Sequence, residues 1–205
     1  MSLVCYDSGI PPTDGTAMAM FPGAKAMIIQ HNFQPWMRKP LRGLIIHIDG
    51  GAWVNATKTT QAHFAHGSIN GVFGEFNTAG KGKSAHFGVD KQGNINQFLD
   101  TSKSAFAVDG TFDGVDSHWV SVENIAVPGE ELTDAQIESC ADIFRWLHQT
   151  EGVPLRLAGH STDKGLAYHS LFLSEEGAKR HPCPTLKVIN QLPDIVDAAL
   201  AFWGN

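Results

Sequence analysis

Cysteine is scarce in this 205-residue chain: Cys5, Cys140 and Cys183 are all it has. An odd, small number excludes a disulfide framework. Cys140 falls on the apolar face of an expected helix and reads as a buried thiol. Nothing constrains Cys5. Cys183 stands in His181-Pro-Cys-Pro184, which is not core composition. Positive charge is also short, with 15 Lys and Arg against 21 Asp and Glu, a net charge of -6 and a pI near 5.9. A nucleic-acid partner usually demands a basic face, so none is expected. No apolar run approaches the roughly 20 residues that cross a bilayer, and no membrane partner is expected. The first residues, Met1 to Pro12, lack the basic n-region and apolar h-region of a signal peptide, so synthesis in the cytoplasm is expected. Internal repeats, low-complexity segments, a Gly-rich phosphate loop and an HExxH pattern are all missing. His63 and His66 form an i, i+3 pair without that pattern and read as surface or packing residues. Neither Ser161 nor Ser170 sits in a nucleophile-elbow context.

What is present is globular: 42% hydrophobic and 18% charged residues, in a length that suits one domain with its own core. Residues 1–40 are rich in Pro, Gly, Met and small residues and read as an irregular extension packed on the domain, with a short strand at Ala26–Gln30. The domain proper is expected over 41–205. Its first firm strand is Leu44-Ile-Ile-His-Ile48, a short apolar run bounded by glycines. A helix is expected over 56–66, a Gly-rich loop over 67–83, and a hairpin of strands over 84–90 and 93–99. Trp119–Val127 reads as a central strand. Thr133-Asp-Ala-Gln136 matches a capping box. It opens a helix whose Ile137, Cys140, Ala141, Phe144 and Leu147 form one apolar face, ended by Gly152. Leu155–Leu157 reads as a late strand, 161–180 as a long loop, and Thr185–Phe202 as helix interrupted at Pro193. Strands and helices alternate around one mixed sheet, so the fold class is α/β or α+β: a single domain with a central mixed β-sheet flanked by helices.

Three residues gather the chemistry. His47 closes the first strand, and His160 closes Leu155-Arg-Leu-Ala-Gly-His160 after Gly159. Cys183 precedes Pro184. Taken singly, each histidine reads as a hydrogen-bonded strand-end residue and the cysteine as a small buried hydrophobe. Together, two imidazoles and a thiolate make three of the four ligands zinc takes, and a fourth position left to water is what a hydrolase requires. Glu123 ends the strand Trp119-Val-Ser-Val-Glu, where it reads alone as a solvated carboxylate.

In this combination the chain resembles the zinc-dependent N-acetylmuramoyl-L-alanine amidases, which share their fold with peptidoglycan-recognition proteins. The resemblance extends over about residues 43 to 200. It implies zinc held by His47, His160 and Cys183, and a peptidoglycan hydrolase that cuts the amide between N-acetylmuramic acid and L-alanine of the stem peptide. It implies Glu123 as general base, because the Tyr that another branch of the family uses is replaced by Ala85 in Ser84-Ala-His-Phe. His86 is expected in a buried layer. His181, two before Cys183, would lie beside the metal and hydrogen-bond the developing oxyanion. His160 and Cys183 stand 23 positions apart, wider than the family pattern. The loop at 162–170 then either lengthens the cleft wall or supplies a different ligand, with His169 and His181 as the candidates.

The rims at 67–83 and 161–180 would bind sugar and peptide, with Trp53 and Trp119 as stacking groups or, for Trp119, core. Gly80-Lys-Gly-Lys83 reads as rim. The expected partners are peptidoglycan or muropeptide fragments. A net charge of -6 argues against electrostatic steering onto an anionic wall. A leaderless product reaches the wall only after release or delivery by another system. A phage lysin, an interbacterial toxin with an immunity protein, and a recycling enzyme all fit. Two other readings stay open: a non-catalytic peptidoglycan-binding module of the same fold, and an amidase or peptidase cutting another bond in the stem.

Overall fold

The computed structural model describes residues 19–37, 40–50, 52–54, 60–62, 67–108 and 114–201. Cys5, His63 and His66 lie outside them, as does the side chain of Trp53.

A six-stranded sheet carries the architecture. Its strands are β1 (Lys25–Ala26), β3 (Gly43–Ile48), β6 (Phe87–Val89), β7 (Ile95–Gln97), β9 (Trp119–Asn124) and β10 (Gly165–Tyr168), in the order β1-β7-β6-β9-β3-β10. All neighbours are parallel except the β6–β7 hairpin. Two small antiparallel pairs accompany it: β2 (Phe33–Gln34) with β8 (Ser104–Ala105), and β4 (Ala52–Val54) with β5 (Thr60–Ala62). β3 is buried along its whole length. That is the behaviour of a central parallel strand covered on both faces, and it explains a continuous apolar run rather than an alternating one.

The helices are α1 (Ile69–Phe76), α2 (Asp134–Glu151), α3 (Glu175–Arg180), α4 (Leu186–Asn190) and α5 (Leu192–Ala201). α2 and α5 cover one face, burying Cys140, Phe144, Leu147 and Ile195 against Leu44, Ile46, Val120 and Val122. α1 covers part of the other face, where Ile69, Val72 and Phe76 pack with Ala85, Phe98 and Ile125. The expected capping box is present: the Thr133 hydroxyl accepts the Gln136 N–H, the Gln136 side chain accepts the Thr133 N–H, and Gly152 ends α2 in the left-handed conformation.

Four expectations change. Where the 56–66 span is described, Thr60–Ala62 is strand, not helix. The helix lies further on, at Ile69–Phe76, inside the stretch expected as loop. Ser68 caps it, and Ile69, Val72 and Phe76 form its buried stripe, although Gly71 and Gly74 dilute the periodicity. The stretch 161–180 holds β10, a 3-10 turn at His169–Phe172 and α3. At the carboxyl end the break falls at Gln191, between α4 and α5. Pro193 sits in the first turn of α5, where a missing N–H leaves no helical bond unmade.

The fourth difference decides the site. Leu155–Leu157 makes only one bridge, Leu157 to Leu166, and the strand beside β3 is Gly165–Tyr168. Gly165 and Gly43 lie opposite each other at the start of the pair. A Cβ on Gly43 would fall 1.8 Å from the Gly165 carbonyl oxygen, and one on Gly165, at φ 137°, would fall 2.1 Å from that of Arg156. Only glycine allows so close an approach.

Among the described residues no helix is long and apolar enough to cross a membrane. Residues 19–37, in the segment expected as an irregular extension, supply β1 to the main sheet and β2 to a small one.

Candidate metal centre

Register brings the site together. Glu123 of β9 pairs with His47 of β3, and Tyr168 of β10 pairs with Ile46. His169, one residue on, thus comes level with His47. His47 and Glu123 are thus the penultimate residues of two neighbouring parallel strands and His169 directly follows a third, at the carboxyl edge where open α/β sheets hold their ligands. Period-two alternation places His47 on the face of Ile45, and Glu123 on the face of Trp119 and Ser121.

The donor atoms of His47, His169 and Cys183 all lie within 4.8 Å of one another. The His47 and His169 rings are 4.8 Å apart between centroids, and Cys183 Sγ stands 3.8 Å from His47 Nδ1. A backbone bond from Ser170 N–H to the Cys183 carbonyl, 2.8 Å, ties the turn that carries His169 to the segment that carries Cys183. His160 is not in this group. It lies exposed in a turn, its N–H donating to Asp163 Oδ2 at 2.9 Å. The physical reason is the strand assignment: with β10 at 165–168, the histidine that closes the strand beside β3 is His169.

The donor set fits a metal. His47 Nε2 is buried and has no hydrogen-bond partner. Burial, reinforced by His169 and His181, holds the His47 pKa well below the ordinary 6.5. Burial and His181 lower that of His169 to about 3. Both imidazoles are thus neutral, as ligands must be. Burial and the nearby Glu123 push the Cys183 thiol up. A thiol held protonated in this way loses its proton when a divalent cation supplies the opposing charge.

Glu123 stands half-buried beside this group, with Oε2 sequestered and unpartnered. Burial first, then the charge of Asp49, raises its pKa from 4.5 to about 8, against the opposing charge of Lys83. Sequence reading passed over Asp49, although it directly follows the apolar strand; its carboxylate also accepts the Gly67 N–H at 3.2 Å. The His181 ring lies 4.9 Å from that of His169. His86 is buried away from the group, between the Ser121 hydroxyl at 3.1 Å and the Lys103 carbonyl at 2.9 Å. Trp119 is buried against Phe172 and belongs to the core.

For the metal-free chain these shifts set a pH dependence whose signs oppose. The unfolded chain binds more protons than the folded one at His47 and His169 below pH 6.5, so acid destabilises the fold there. Glu123 does the reverse: between 4.5 and about 8 the folded chain keeps a proton that the unfolded chain loses, so its contribution falls as pH rises. Above 6.5 the histidines drop out and Glu123 remains. The melting temperature of chelator-treated protein should therefore decline from pH 6.5 to about 8. Glu123→Gln should flatten the decline. Equal slopes in the two proteins would contradict a buried proton on Glu123.

Two neutral imidazoles and a thiol beside a raised carboxyl, at the carboxyl edge of a parallel sheet, form a donor set that could hold a metal ion. The family model described as N-acetylmuramoyl-L-alanine amidase matches residues 37–185, and the chain belongs to that family. Its fold is that of solved structures of low identity. The Staphylococcus aureus hydrolase AmiA, solved with its ligand, aligns at TM-score 0.57 and 15% identity, over 90% of this chain and 87% of that one. A mutant endolysin from Bacillus subtilis aligns at 0.55 and 14%, over 86% and 99%. The N-acetylmuramoyl-L-alanine amidase LysC from Clostridium intestinale URNW aligns at 0.50 and 14%, over 84% and 97%. No curated protein matches the sequence. The enzyme class is accordingly an amidase acting on peptidoglycan.

Proposed function

We propose that this chain is a zinc-dependent hydrolase of the amide between N-acetylmuramic acid and the L-alanine of the stem peptide. The observation that carries the reading is the convergence of His47, His169 and Cys183 within 4.8 Å, beside Glu123. Those three side chains would hold the ion. When bound, zinc supplies a Lewis acid and lowers the pKa of water toward neutrality.

The residues around it do the rest. Glu123, the penultimate residue of its strand, lies level with His47. Its carboxylate takes the proton from water as water attacks the lactyl carbonyl, and the carboxylic acid so formed gives that proton to the departing alanine amine as the C–N bond breaks. His181, next to His169, donates to the carbonyl oxygen as charge develops there. Burial first, and then Asp49, raise the proton affinity of Glu123 against the opposing charge of Lys83, which brings it near the operating range.

Digestion of purified muropeptides, followed by mass spectrometry, tests the bond. The expected products are free stem peptides beginning with L-alanine and sugars with an intact lactyl acid, with about one zinc per chain by metal analysis and no cleavage after chelation. Binding without cleavage by zinc-loaded protein would favour the recognition-module reading. Fragments cut within the stem would move the scissile bond.

A further inference from the structure

Asn124 ends β9 next to Glu123, and its side chain takes the opposite face of the sheet, toward α2. It is fully buried. Its Nδ2 donates to the His47 carbonyl at 3.2 Å, and its Oδ1 accepts from the Cys140 thiol at 3.4 Å. The partners fix the amide. A carbonyl can only accept, so the NH2 end faces His47 and the oxygen is left to the thiol. Burial pushes the Cys140 thiol up to about 12, so it keeps the proton it donates. One turn earlier in α2, Gln136 is also fully buried, and its Nε2 donates to the carbonyls of Ile125, at 3.2 Å, and Val89, at 3.4 Å. The Gln136 bonds end at β9 and β6; the Cys140–Asn124 pair goes on to β3.

The carbonyl so held belongs to a residue of the donor group. A ligating histidine is ordinarily aimed by a hydrogen bond from its second ring nitrogen to a carbonyl or carboxylate. Among the described residues the His47 ring has no such partner: Nε2 is unpartnered, and Nδ1 lies 3.8 Å from Cys183 Sγ, itself a member of the group. The aim of His47 is therefore set through the backbone that carries it.

We propose that Asn124 is a positioning residue of the metal centre. Through the His47 carbonyl it holds the end of β3 at the level where the His47 ring meets His169 and Cys183, and the Cys140 thiol keeps its amide turned that way. The inference rests on the metal reading of that group. It also gives a part to a buried thiol that the hydrolytic steps leave unused. An amide in an apolar layer is costly unless its bonds are made, so both ends of Asn124 resist displacement, and the His47 backbone is restrained with them.

Zinc titration of the folded, metal-free chain against a chromophoric chelator tests this without reference to turnover. Asn124→Leu removes both bonds at nearly the same volume and should weaken zinc binding about tenfold, the low end of what loss of a ligand's outer partner costs. Cys140→Ala should weaken it less, and Cys140→Ser, which keeps a hydroxyl donor, should restore it. Gln136→Leu controls for general loosening of the sheet edge. It should lower the melting temperature of the zinc-free protein and leave zinc affinity as in wild type, because its bonds do not reach β3. Cobalt in place of zinc should show altered visible bands in Asn124→Leu and wild-type bands in Gln136→Leu. Unchanged zinc affinity in Asn124→Leu, or an equal fall in Gln136→Leu, would overturn the inference alone and reduce the pair to ordinary core bonds. If Asn124→Leu does not fold, the Cys140 variants decide: no fall in Cys140→Ala, or a fall that Cys140→Ser does not restore, overturns it. A wild type that takes up no zinc would overturn the metal reading and this inference with it.

Discussion

Replacing His169 with alanine should empty the metal centre, while His160→Ala should leave zinc content and turnover as they are. The geometry separates the two histidines cleanly. His169 is buried in the group with His47 and Cys183, and His160 is exposed in a turn whose contacts are made by its backbone. Loss of a ligand should cost more than the roughly 10–100-fold that loss of a ligand's outer partner costs. A fall in kcat/KM of about 1,000-fold or more is therefore expected for His169→Ala. Cys183→Ser should behave likewise, because a hydroxyl is a much poorer zinc ligand than a thiolate. Zinc titration of the three variants, with circular dichroism to establish that each is folded, reads the result. Zinc lost from His160→Ala and kept by His169→Ala would reverse the assignment and require the 159–164 turn to move.

Glu123→Gln should keep its zinc and slow turnover by roughly two to four orders of magnitude, the usual worth of general acid–base catalysis. The amide has nearly the shape of the acid, so the substitution removes proton transfer while preserving the β9 terminus. Ala85 leaves no phenol in the slot where part of the family carries Tyr, and it is wholly buried. His86, its neighbour, is committed to Ser121 and the Lys103 carbonyl, with a pKa that burial lowers to about 4. Single-turnover rates on a defined muropeptide measure the step itself. A Glu123→Gln enzyme of undiminished rate would pass the role of base to another group, and His181 would be the next to replace.

Much of this molecule is legible along the chain because its signals are local. The apolar run at 44–48, the Gly-containing turn at 90–94 and the Thr133–Gln136 box each contain their own physical instruction, and each forms as expected. His47 and Cys183, two of the three grouped donors, were readable for the same reason: one lies near the end of a strand that declares itself, and the other in a Pro-flanked segment. α1 was missed because two glycines thin its stripe and only the partners Phe98 and Ile125 reveal which residues are buried.

By itself, then, the sequence determined the α/β class, the family likeness and most of the chemically able side chains, since periodicity, caps and residue chemistry act over a few neighbouring positions. Which histidine completes the group was decided only in the tertiary structure. Leu155–Leu157 and Gly165–Tyr168 compete for the same edge of β3, and both contain apolar residues that suit it. The contest is settled by the close approach of Gly165 to Gly43, where any Cβ would collide with backbone. That contact joins positions far apart in the chain, and from it the parallel register carries His169, rather than His160, to the side of His47.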